Sequence, residues 1–276
     1  MSKAITLSDF IGKERIGQHS GYHSVSRFGR IQGRRVLEIG GNSDCVAAQH
    51  FANAGAAQVV VSGLYHVDDS RPTNNPLIAV QRVDALDLAN AYPAESFDII
   101  YGISILEHIP NPDKLLAQIW HVLSKNGIVF LQGAPIWSGP WGHHIWLNTW
   151  TDHTTVCYQF LPTESLVARG VKVINPIPDW AHILCTPEEM AARLATQQIP
   201  DEDIKKILFA VYDGDAINRQ SASDIYKAIH RSPFLIAELE FDRVSVPLVL
   251  QGELRQKCSE TEDFSIMGIR TVLIKT

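Results

Sequence analysis

Two adjacent histidines among tryptophans are the side chains of this sequence best suited to chemistry. His143 and His144 stand on the Gly/Pro-rich stretch 135–146, which also carries three tryptophans. An imidazole changes its protonation state near neutral pH and can take a proton from a reacting group, while tryptophan rings offer a wall for a bound molecule. The sequence predicts that at least one of the two histidines is a general base or contacts a substrate, and it leaves open which one.

A third histidine and a set of metal ligands are weaker candidates. His108 follows a short apolar strand and is the next candidate base, with a packing role as the alternative. His143, His144, Asp152 and His153 offer nitrogen and oxygen ligands without a recognised spacing, and the four cysteines are scattered without a CxxC pair. We therefore predict no metal site.

A glycine turn at the end of an apolar strand is the second feature that indicates a ligand. The run Arg35–Asn42 contains Glu38, and the glycines at 40 and 41 follow it at once. Such a turn lets the backbone approach a ligand closely, and the helix after it offers free N–H groups. The same pattern is also typical of dinucleotide-binding folds and of purely structural turns.

The elements that must position these residues form an alternating pattern in the first half of the chain. Short apolar runs begin near residues 36, 59, 78, 98 and 128, and the stretches between them are long enough for crossover helices. We expect one helix from about Asp44 to Gly55 and another from about Asp113 to Gly127. This alternation predicts a parallel sheet that is buried on both faces.

The second half of the chain has a different pattern of apolar and polar residues. After the aromatic loop, helix starts are expected near Thr186, Pro200 and Ser221, and these helices should bury a small core that includes His182. Strand texture returns at Val246–Leu250 and at Phe264–Ile274, and these two runs are expected to pair as an antiparallel edge. The sequence therefore predicts a helical insertion after the fifth strand.

Composition limits the partners of the protein. The chain has 276 residues and a net charge of −6, and no stretch concentrates basic residues. A nucleic-acid partner is not expected, because such proteins carry a basic face. The N-terminal residues lack the apolar core of a signal peptide, and no stretch is long enough for a membrane span, so a cytoplasmic location is expected.

Four further motifs support a ligand at the glycine turn. They are Asp84-Ala85, Ser96–Gly102, Ile105–Ile109 and Val122–Gly127. In this order and spacing, residues 33 to 135 resemble the class I S-adenosylmethionine-dependent methyltransferases. The resemblance implies a Rossmann-like α/β fold and S-adenosylmethionine as co-substrate. It also implies a set of cofactor-binding residues, namely Glu38 facing the methionine part, Gly40, Gly41 and Asn42 beneath it, Asp84 and Ala85 at the adenine, and Gly102 and Ile103 lining the pocket.

Two positions depart from the family pattern. Asn42 stands where the family usually has a second glycine. We therefore expect Asn42 to make a side-chain hydrogen bond or to adopt a positive φ angle. The end of the second strand reads Val61–Tyr65 and lacks the acidic residue that normally holds the ribose hydroxyls. Asp68, Asp69, His66 and the backbone are the alternatives for that contact.

The resemblance and the residues together predict a particular organisation and activity. Residues 1–135 and 241–276 are expected to form the cofactor-binding domain, with a mostly parallel sheet and an antiparallel C-terminal edge strand, and 136–240 a helical cap that contributes to the acceptor site. We expect O-methylation of a small molecule such as a glycan, glycolipid or natural product, with a histidine as base. Alternatives are N- or C-methylation of a small metabolite, a non-catalytic cofactor-fold protein and a nicotinamide oxidoreductase. Magnesium, which some sugar methyltransferases use, is not favoured, and the oligomeric state stays open, a homodimer being one option.

Overall fold

The computed structural model describes residues 22–65, 67–70, 73–150, 153–157, 172–258 and 260–276, with backbone alone for 147–150, 153–157 and 172–174. Residues 22–28 are helical. The strands are β1 (Arg35–Ile39), β2 (Gln58–Gly63), β3 (Ile78–Arg82), β4 (Phe97–Gly102), β5 (Leu123–Gly133), β6 (Trp146–Trp150), β7 (His153–Cys157), β8 (Lys172–Ile174), β9 (Leu235–Arg243) and β10 (Ile266–Ile274). The further α-helices are Val46–Asn53, Leu88–Ala91, Pro112–Val122, Ala181–Leu184, Pro187–Ala195, Asp201–Leu208, Ala222–Arg231 and Leu248–Lys257, with a 3-10 turn at Ala85–Asp87 and a π-helical turn at Phe209–Asp213.

The main sheet has seven strands in the order β3-β2-β1-β4-β5-β10-β9. Strands β1 to β5 pair in parallel, and β10 pairs antiparallel with β5. The mostly parallel α/β sheet with an antiparallel strand near its C-terminal edge is therefore confirmed. The strand order reverses between β1 and β4, and ligands of such sheets bind beyond the carboxyl ends of the strands at this point.

The apolar runs of the sequence become the core of this sheet. Val36 and Ile99 are buried on neighbouring strands and belong to the same apolar cluster as Ala48 and Phe51 of the helix Val46–Asn53. That helix ends where the sequence predicted, because Gly55 follows it with a φ of +86°, a conformation that glycine adopts without strain. The crossover helix is thus fixed to the sheet immediately after the glycine turn.

The three helix starts expected in the second half are confirmed. The Thr186 hydroxyl accepts a hydrogen bond from the Glu189 N–H at 3.2 Å, and the Glu189 carboxylate accepts one from the Thr186 N–H at 2.9 Å, so this start is a capping box. The other two helices begin at Asp201 and Ala222.

One strand predicted from the sequence is wrong. Val246–Leu250 was expected to be a strand, but Pro247 caps the helix Leu248–Lys257. Leu248 and Val249 are 84% and 77% exposed, so their apolar side chains do not indicate a buried strand. A proline at a helix start supplies the required φ angle and needs no N–H partner. The strand that joins β10 at the edge is β9, which lies earlier in the chain.

The chain divides into two compact units. The sheet unit contains the described residues up to Gly133 together with Asp224–Glu240 and Ile269–Thr276, and the second unit contains Ala134–Ser223 and Phe241–Gly268. The second unit carries helices, as expected, and also a three-stranded antiparallel sheet in the order β7-β6-β8, which the sequence did not predict. That the two parts are a cofactor domain and an acceptor cap stays a prediction.

Among the helices of the described ranges, none combines the length and hydropathy of a membrane-crossing segment.

Candidate active site

The glycine turn after β1 leaves no room for side chains. A Cβ atom at Gly40, whose φ is +71°, would lie 2.6 Å from Ile105 Cδ1, and one at Gly41 would lie 2.5 Å from Val61 Cγ1. The Gly41 N–H donates to the Ser62 carbonyl at 3.0 Å, so the turn is tied to the end of β2. The turn is therefore a bare and fixed piece of backbone at the carboxyl edge of the sheet, which is what close approach to a ligand requires.

The residue that replaces a glycine in this turn acts through its side chain. The Asn42 amide oxygen accepts a hydrogen bond from the Asp44 N–H at 3.0 Å, which is an Asx turn leading into the helix Val46–Asn53. Of the two expectations for Asn42, the side-chain hydrogen bond is thus observed. The positive φ angle, 55°, falls instead on Cys45, immediately before the helix.

The end of β2 packs directly on the glycine turn. A Cβ at Gly63 would lie 2.7 Å from the Gly41 carbonyl oxygen, and the Ser62 hydroxyl donates to the Glu38 carbonyl at 2.9 Å. The Asp68 N–H donates to the Ser43 hydroxyl at 2.6 Å, which brings Asp68 beside the turn. This contact is made by the Asp68 backbone, whereas its carboxylate accepts from the Ser70 N–H and hydroxyl. Asp69 is exposed, and His66 lies outside the described residues.

Glu38 is a half-buried residue beneath the turn. The Tyr101 hydroxyl donates to Glu38 Oε2 at 2.5 Å across the β1–β4 pair, and the Ala48 N–H in the first turn of the following helix also bonds to this carboxyl group. Burial raises the pKa of Glu38 to about 7, against the lowering effect of the Tyr101 and Ala48 hydrogen bonds. A carboxyl group whose pKa lies this close to neutral pH can lose its proton when a positively charged ligand group binds nearby.

This elevated pKa predicts a pH-dependent stability. Because the pKa of Glu38 rises from its ordinary value of 4.5 to about 7 on folding, the folded state binds the proton more tightly. The resulting stabilisation is fully present below pH 4.5 and is lost as the pH rises toward 7. Between pH 5 and pH 8, we expect the free energy of unfolding of the wild type to fall by about 2 kcal/mol relative to the Glu38→Gln variant.

Urea unfolding at several pH values measures this difference. The exposed Glu253 supplies the matched control, Glu253→Gln, whose unfolding free energy should follow that of the wild type across the range. Parallel pH profiles for the wild type and Glu38→Gln would contradict the assignment.

The other predicted cofactor residues lie at the same edge of the sheet. Asp84 and Ala85 follow β3, and Gly102 ends β4. One Asp84 carboxylate oxygen accepts from the Leu86 N–H at 2.8 Å, which fixes the carboxylate at the start of the 3-10 turn. A Cβ at Gly102 would lie 2.8 Å from Ile39 Cγ1, so β4 passes close to β1 here. Ile103 and Asp84 are half-buried, and their contact with a cofactor stays a prediction.

His108 lies after β4 in the same unit. Its side chain is half-buried, and its N–H donates to the Ile105 carbonyl at 3.0 Å in a turn. The structure thus places His108 near the end of the strand that carries Gly102. Its role as a base stays a prediction.

The aromatic loop 135–146 is held rigidly within the second unit. The Ile136 N–H donates to the Met267 carbonyl at 2.7 Å, and the Trp180 indole N–H donates to the Ser138 carbonyl at 3.0 Å. The Ser138 hydroxyl in turn accepts from the Ala222 N–H at 2.9 Å. The loop therefore holds its histidines in defined positions despite its glycines and prolines.

His144 is engaged by the backbone of its own loop. Its Nε2 lies 2.8 Å from the Pro135 carbonyl oxygen, and the residue has a φ of +56°. A ring nitrogen that bonds to a carbonyl must carry the proton, so His144 donates at this contact. Of the two adjacent histidines, His144 has the contact that is typical of a structural role.

His143 and His182 form a buried pair of imidazoles with complementary free atoms. Their ring centroids are 5.3 Å apart, and both residues are buried, with His143 1% and His182 2% exposed. His143 Nδ1 accepts from the Ile145 N–H at 2.9 Å, so the proton of the neutral ring is on Nε2. His182 Nε2 lies 2.8 Å from the Trp137 carbonyl oxygen and carries the proton, which leaves a lone pair on Nδ1.

The remaining nitrogen of each ring has no partner among the described residues. These atoms are His143 Nε2 and His182 Nδ1, one a hydrogen-bond donor and the other an acceptor. A buried polar group without a partner costs about 1–3 kcal/mol, so both nitrogens favour a bound group that satisfies them. Burial lowers the pKa of His182 to about 4, and burial together with His182 and His144 lowers the pKa of His143 well below its usual range. Both rings are therefore neutral near pH 7.

His182 was not among the candidate site residues predicted from the sequence. The sequence placed it among apolar residues at helical spacing, and it is indeed buried in the short helix Ala181–Leu184. Only the fold brings it to His143, because 39 positions separate them in the chain. No group of three or more metal-ligating side chains is found in the described ranges, and Asp152 and the His153 side chain lie outside them.

The sheet order and the glycine turn define a Rossmann-like cofactor-binding fold. The model of a family described as a methyltransferase domain matches residues 16–169, which is more than half of the chain. The chain therefore belongs to this methyltransferase-domain family. The bare turn, the half-buried Glu38 and the Asp84 carboxylate fit S-adenosylmethionine, which offers cationic groups and an adenine ring with hydrogen-bond donors.

Curated relatives match less than half of the chain. An uncharacterized methyltransferase of Mycobacterium avium is 30% identical over 115 residues, 41% of this chain and 44% of that protein. A ubiquinone biosynthesis O-methyltransferase of Neisseria meningitidis is 29% identical over 108 residues, 36% of this chain and 44% of that protein. The match thus spans less than half the length of these relatives.

Solved structures share the fold over most of the chain. The geranyl diphosphate C-methyltransferase of Streptomyces coelicolor, in complex with Mg²⁺, geranyl diphosphate and S-adenosylhomocysteine, has a TM-score of 0.52 and 7% identity, covering 95% of this chain and 80% of that chain. A putative methyltransferase of Haloferax volcanii in complex with the Trm112 activator has a TM-score of 0.51 and 14% identity, covering 96% and 92%. At these identities the likeness shows the fold alone.

Proposed function

We propose that this methyltransferase transfers a methyl group to the hydroxyl oxygen of a small molecule. The observation that carries this proposal is the buried pair His143 and His182, which presents one free donor and one free acceptor nitrogen. A hydroxyl group is itself one donor and one acceptor, and therefore complements the pair. The similarity to a ubiquinone biosynthesis O-methyltransferase supports the same type of reaction.

The protein has two tasks in such a reaction. When bound, S-adenosylmethionine supplies an electrophilic methyl group on a sulfonium. The hydroxyl oxygen forms the bond to the methyl carbon, the carbon–sulfur bond breaks with its electron pair going to sulfur, and the hydroxyl proton must leave. The protein therefore has to hold the oxygen in line and to receive its proton, and positioning and a base are the usual contributions.

An aromatic wall in the second unit supports a ring-bearing methyl acceptor. The Trp137 ring packs edge-on against the His182 ring at 4.6 Å between centroids, and the Arg219 guanidinium lies 5.8 Å from the Trp137 ring centroid. Arg219 also donates to the carbonyls of Val211 and Gly214, which fixes it beside the indole. Aromatic faces flanked by polar groups bind sugar and phenol rings. The second unit is accordingly proposed to supply the acceptor contacts, without magnesium.

Matched alcohols and amines test this proposal. The protein is incubated with S-adenosylmethionine and a panel of phenols and sugars, each paired with the analogue that carries an amino group in place of the hydroxyl, and release of S-adenosylhomocysteine is followed. We expect turnover with hydroxyl compounds to exceed turnover with their amino partners by about 10-fold or more. Turnover that is confined to the amino compounds would contradict the proposal and favour N-methylation.

A further inference from the structure

The structure points to different roles for the two buried histidines of the second unit. We infer that His143 and His182 together bind a single hydroxyl group, whose oxygen accepts a hydrogen bond from His143 Nε2–H and whose proton is donated to His182 Nδ1. The hydroxyl group comes from a water molecule or from the methyl acceptor. If the hydroxyl group belongs to the methyl acceptor, the inference rests on the proposed function. His182, rather than His143, is then the group that receives the proton.

The hydrogen-bond directions carry this assignment. The Ile145 N–H can only donate, so it occupies the lone pair of His143 Nδ1 and leaves His143 without a free acceptor atom. The Trp137 carbonyl can only accept, so it fixes the proton of His182 on Nε2 and leaves the Nδ1 lone pair free. His143 therefore donates to the bound oxygen, and His182 is the ring that can take a proton.

The separation of the rings suits one bridging oxygen. The ring centroids lie 5.3 Å apart, so the two rings are direct neighbours. One oxygen at about 2.8 Å from a nitrogen of each ring can bridge two neighbouring imidazoles. The rings meet at an angle of 68°, both residues are buried, and the Trp146 ring centroid lies 6.2 Å from that of His143. A single water or alcohol oxygen with two partners is typical of such a buried polar site.

Amide replacements of His182 separate its two hydrogen bonds. In His182→Asn, the amide oxygen takes the place of Nδ1 and keeps an acceptor for the bound hydroxyl, whereas the bond to the Trp137 carbonyl is lost. In His182→Gln, the amide nitrogen takes the place of Nε2 and keeps the bond to Trp137, whereas the free acceptor is lost. Asn is one methylene smaller than Gln and leaves the larger gap, so a purely structural role would make Gln, not Asn, the better replacement.

The first measurement concerns the bound hydroxyl and does not depend on activity. Long-range ¹H–¹⁵N spectra of the full chain labelled with ¹⁵N-histidine should show both rings protonated at Nε2. The His143 Hε2 proton should give a cross-peak to water in the wild type and in His182→Asn, and this cross-peak should disappear in His182→Gln. A ring protonated at Nδ1, or identical behaviour of the two variants, would overturn the inference.

Phenol and toluene identify the source of the hydroxyl group. If the methyl acceptor supplies it, phenol will replace the water cross-peak by one to the phenol hydroxyl, and toluene will not. If water supplies it, the water cross-peak will persist with both probes. Either result supports the two-point site, whereas loss of the cross-peak with toluene as well as with phenol would overturn it.

Turnover with a hydroxyl acceptor from the panel tests the proton-accepting role. We expect kcat of His182→Gln to fall by about 100-fold, and that of His182→Asn to fall less, with KM for S-adenosylmethionine within about twofold of the wild type in both. Equal kcat losses in the two variants would contradict the role of His182 Nδ1. If no hydroxyl compound is methylated, the proposed function fails, and the spectra alone decide the two-point site.

Discussion

Replacing Gly41 by alanine is expected to weaken the binding of S-adenosylmethionine by roughly 50-fold or more. The added Cβ would lie 2.5 Å from Val61 Cγ1 and 2.8 Å from Glu38 Cδ, both on the buried side of the turn. Overpacking of this kind costs about 1–3 kcal/mol, and it can be relieved only by moving the turn away from the sheet. A displaced turn would no longer fit beneath the methionine part of the co-substrate, which is where the family resemblance predicts that it lies.

Calorimetric titration with S-adenosylmethionine and S-adenosylhomocysteine measures this effect. The matched control is Gly252→Ala, because Gly252 lies in an exposed helix and a Cβ there would meet no atom within 4 Å. The control should bind both compounds with wild-type affinity. Thermal unfolding shows whether Gly41→Ala stays folded at the titration temperature. Wild-type affinity in a folded Gly41→Ala protein would contradict the placement of the co-substrate at this turn.

Removing the donor of His143 should have the second large effect, on turnover rather than on co-substrate binding. In His143→Asn, the amide oxygen takes the place of Nδ1 and still accepts from the Ile145 N–H, but Nε2–H is lost. Because this N–H is proposed to hold the reacting oxygen as it loses its proton, we expect kcat to fall by about 100-fold. The dissociation constant of S-adenosylmethionine should change by no more than about twofold.

The neighbouring histidine provides the comparison. His144→Asn is expected to lower kcat by less than about 10-fold, because asparagine tolerates the positive φ angle and His144 Nε2 is already bonded to the Pro135 carbonyl. The test compares kcat of the two variants, measured by steady-state kinetics with the same hydroxyl acceptor. A larger loss in His144→Asn than in His143→Asn would assign the catalytic contact to His144 instead.

The sheet was predictable because its signals are local. Each buried strand is a short apolar run, and the crossover helix after β1 has a recognisable end at the glycine at 55. The run Val246–Leu250 was wrongly predicted to be a strand, because a short apolar run that contains a proline fits a helix start as well as a strand. Composition alone does not separate these two cases.

The site was predictable only in part, because its members come from distant segments. The glycine turn was found because it directly follows an apolar strand, whereas Asp84 was identified only through the resemblance to the methyltransferase family. The Glu38–Tyr101 contact depends on the pairing of β1 with β4, and the His143–His182 pair depends on the packing of a four-residue helix against a loop. Neither contact leaves a sequence motif. A histidine among apolar residues is the one signal that indicates a position such as His182.

The fate of a labelled methyl group tests the central claim most directly. The protein is incubated with S-adenosylmethionine carrying ¹³C in its methyl group and with the best compound of the acceptor panel, and the ¹³C spectrum of the product is recorded. The account predicts a signal in the range of methoxy carbons, which is lost with the Gly41→Ala variant. A signal in the range of methyl groups bound to nitrogen or to carbon would contradict it.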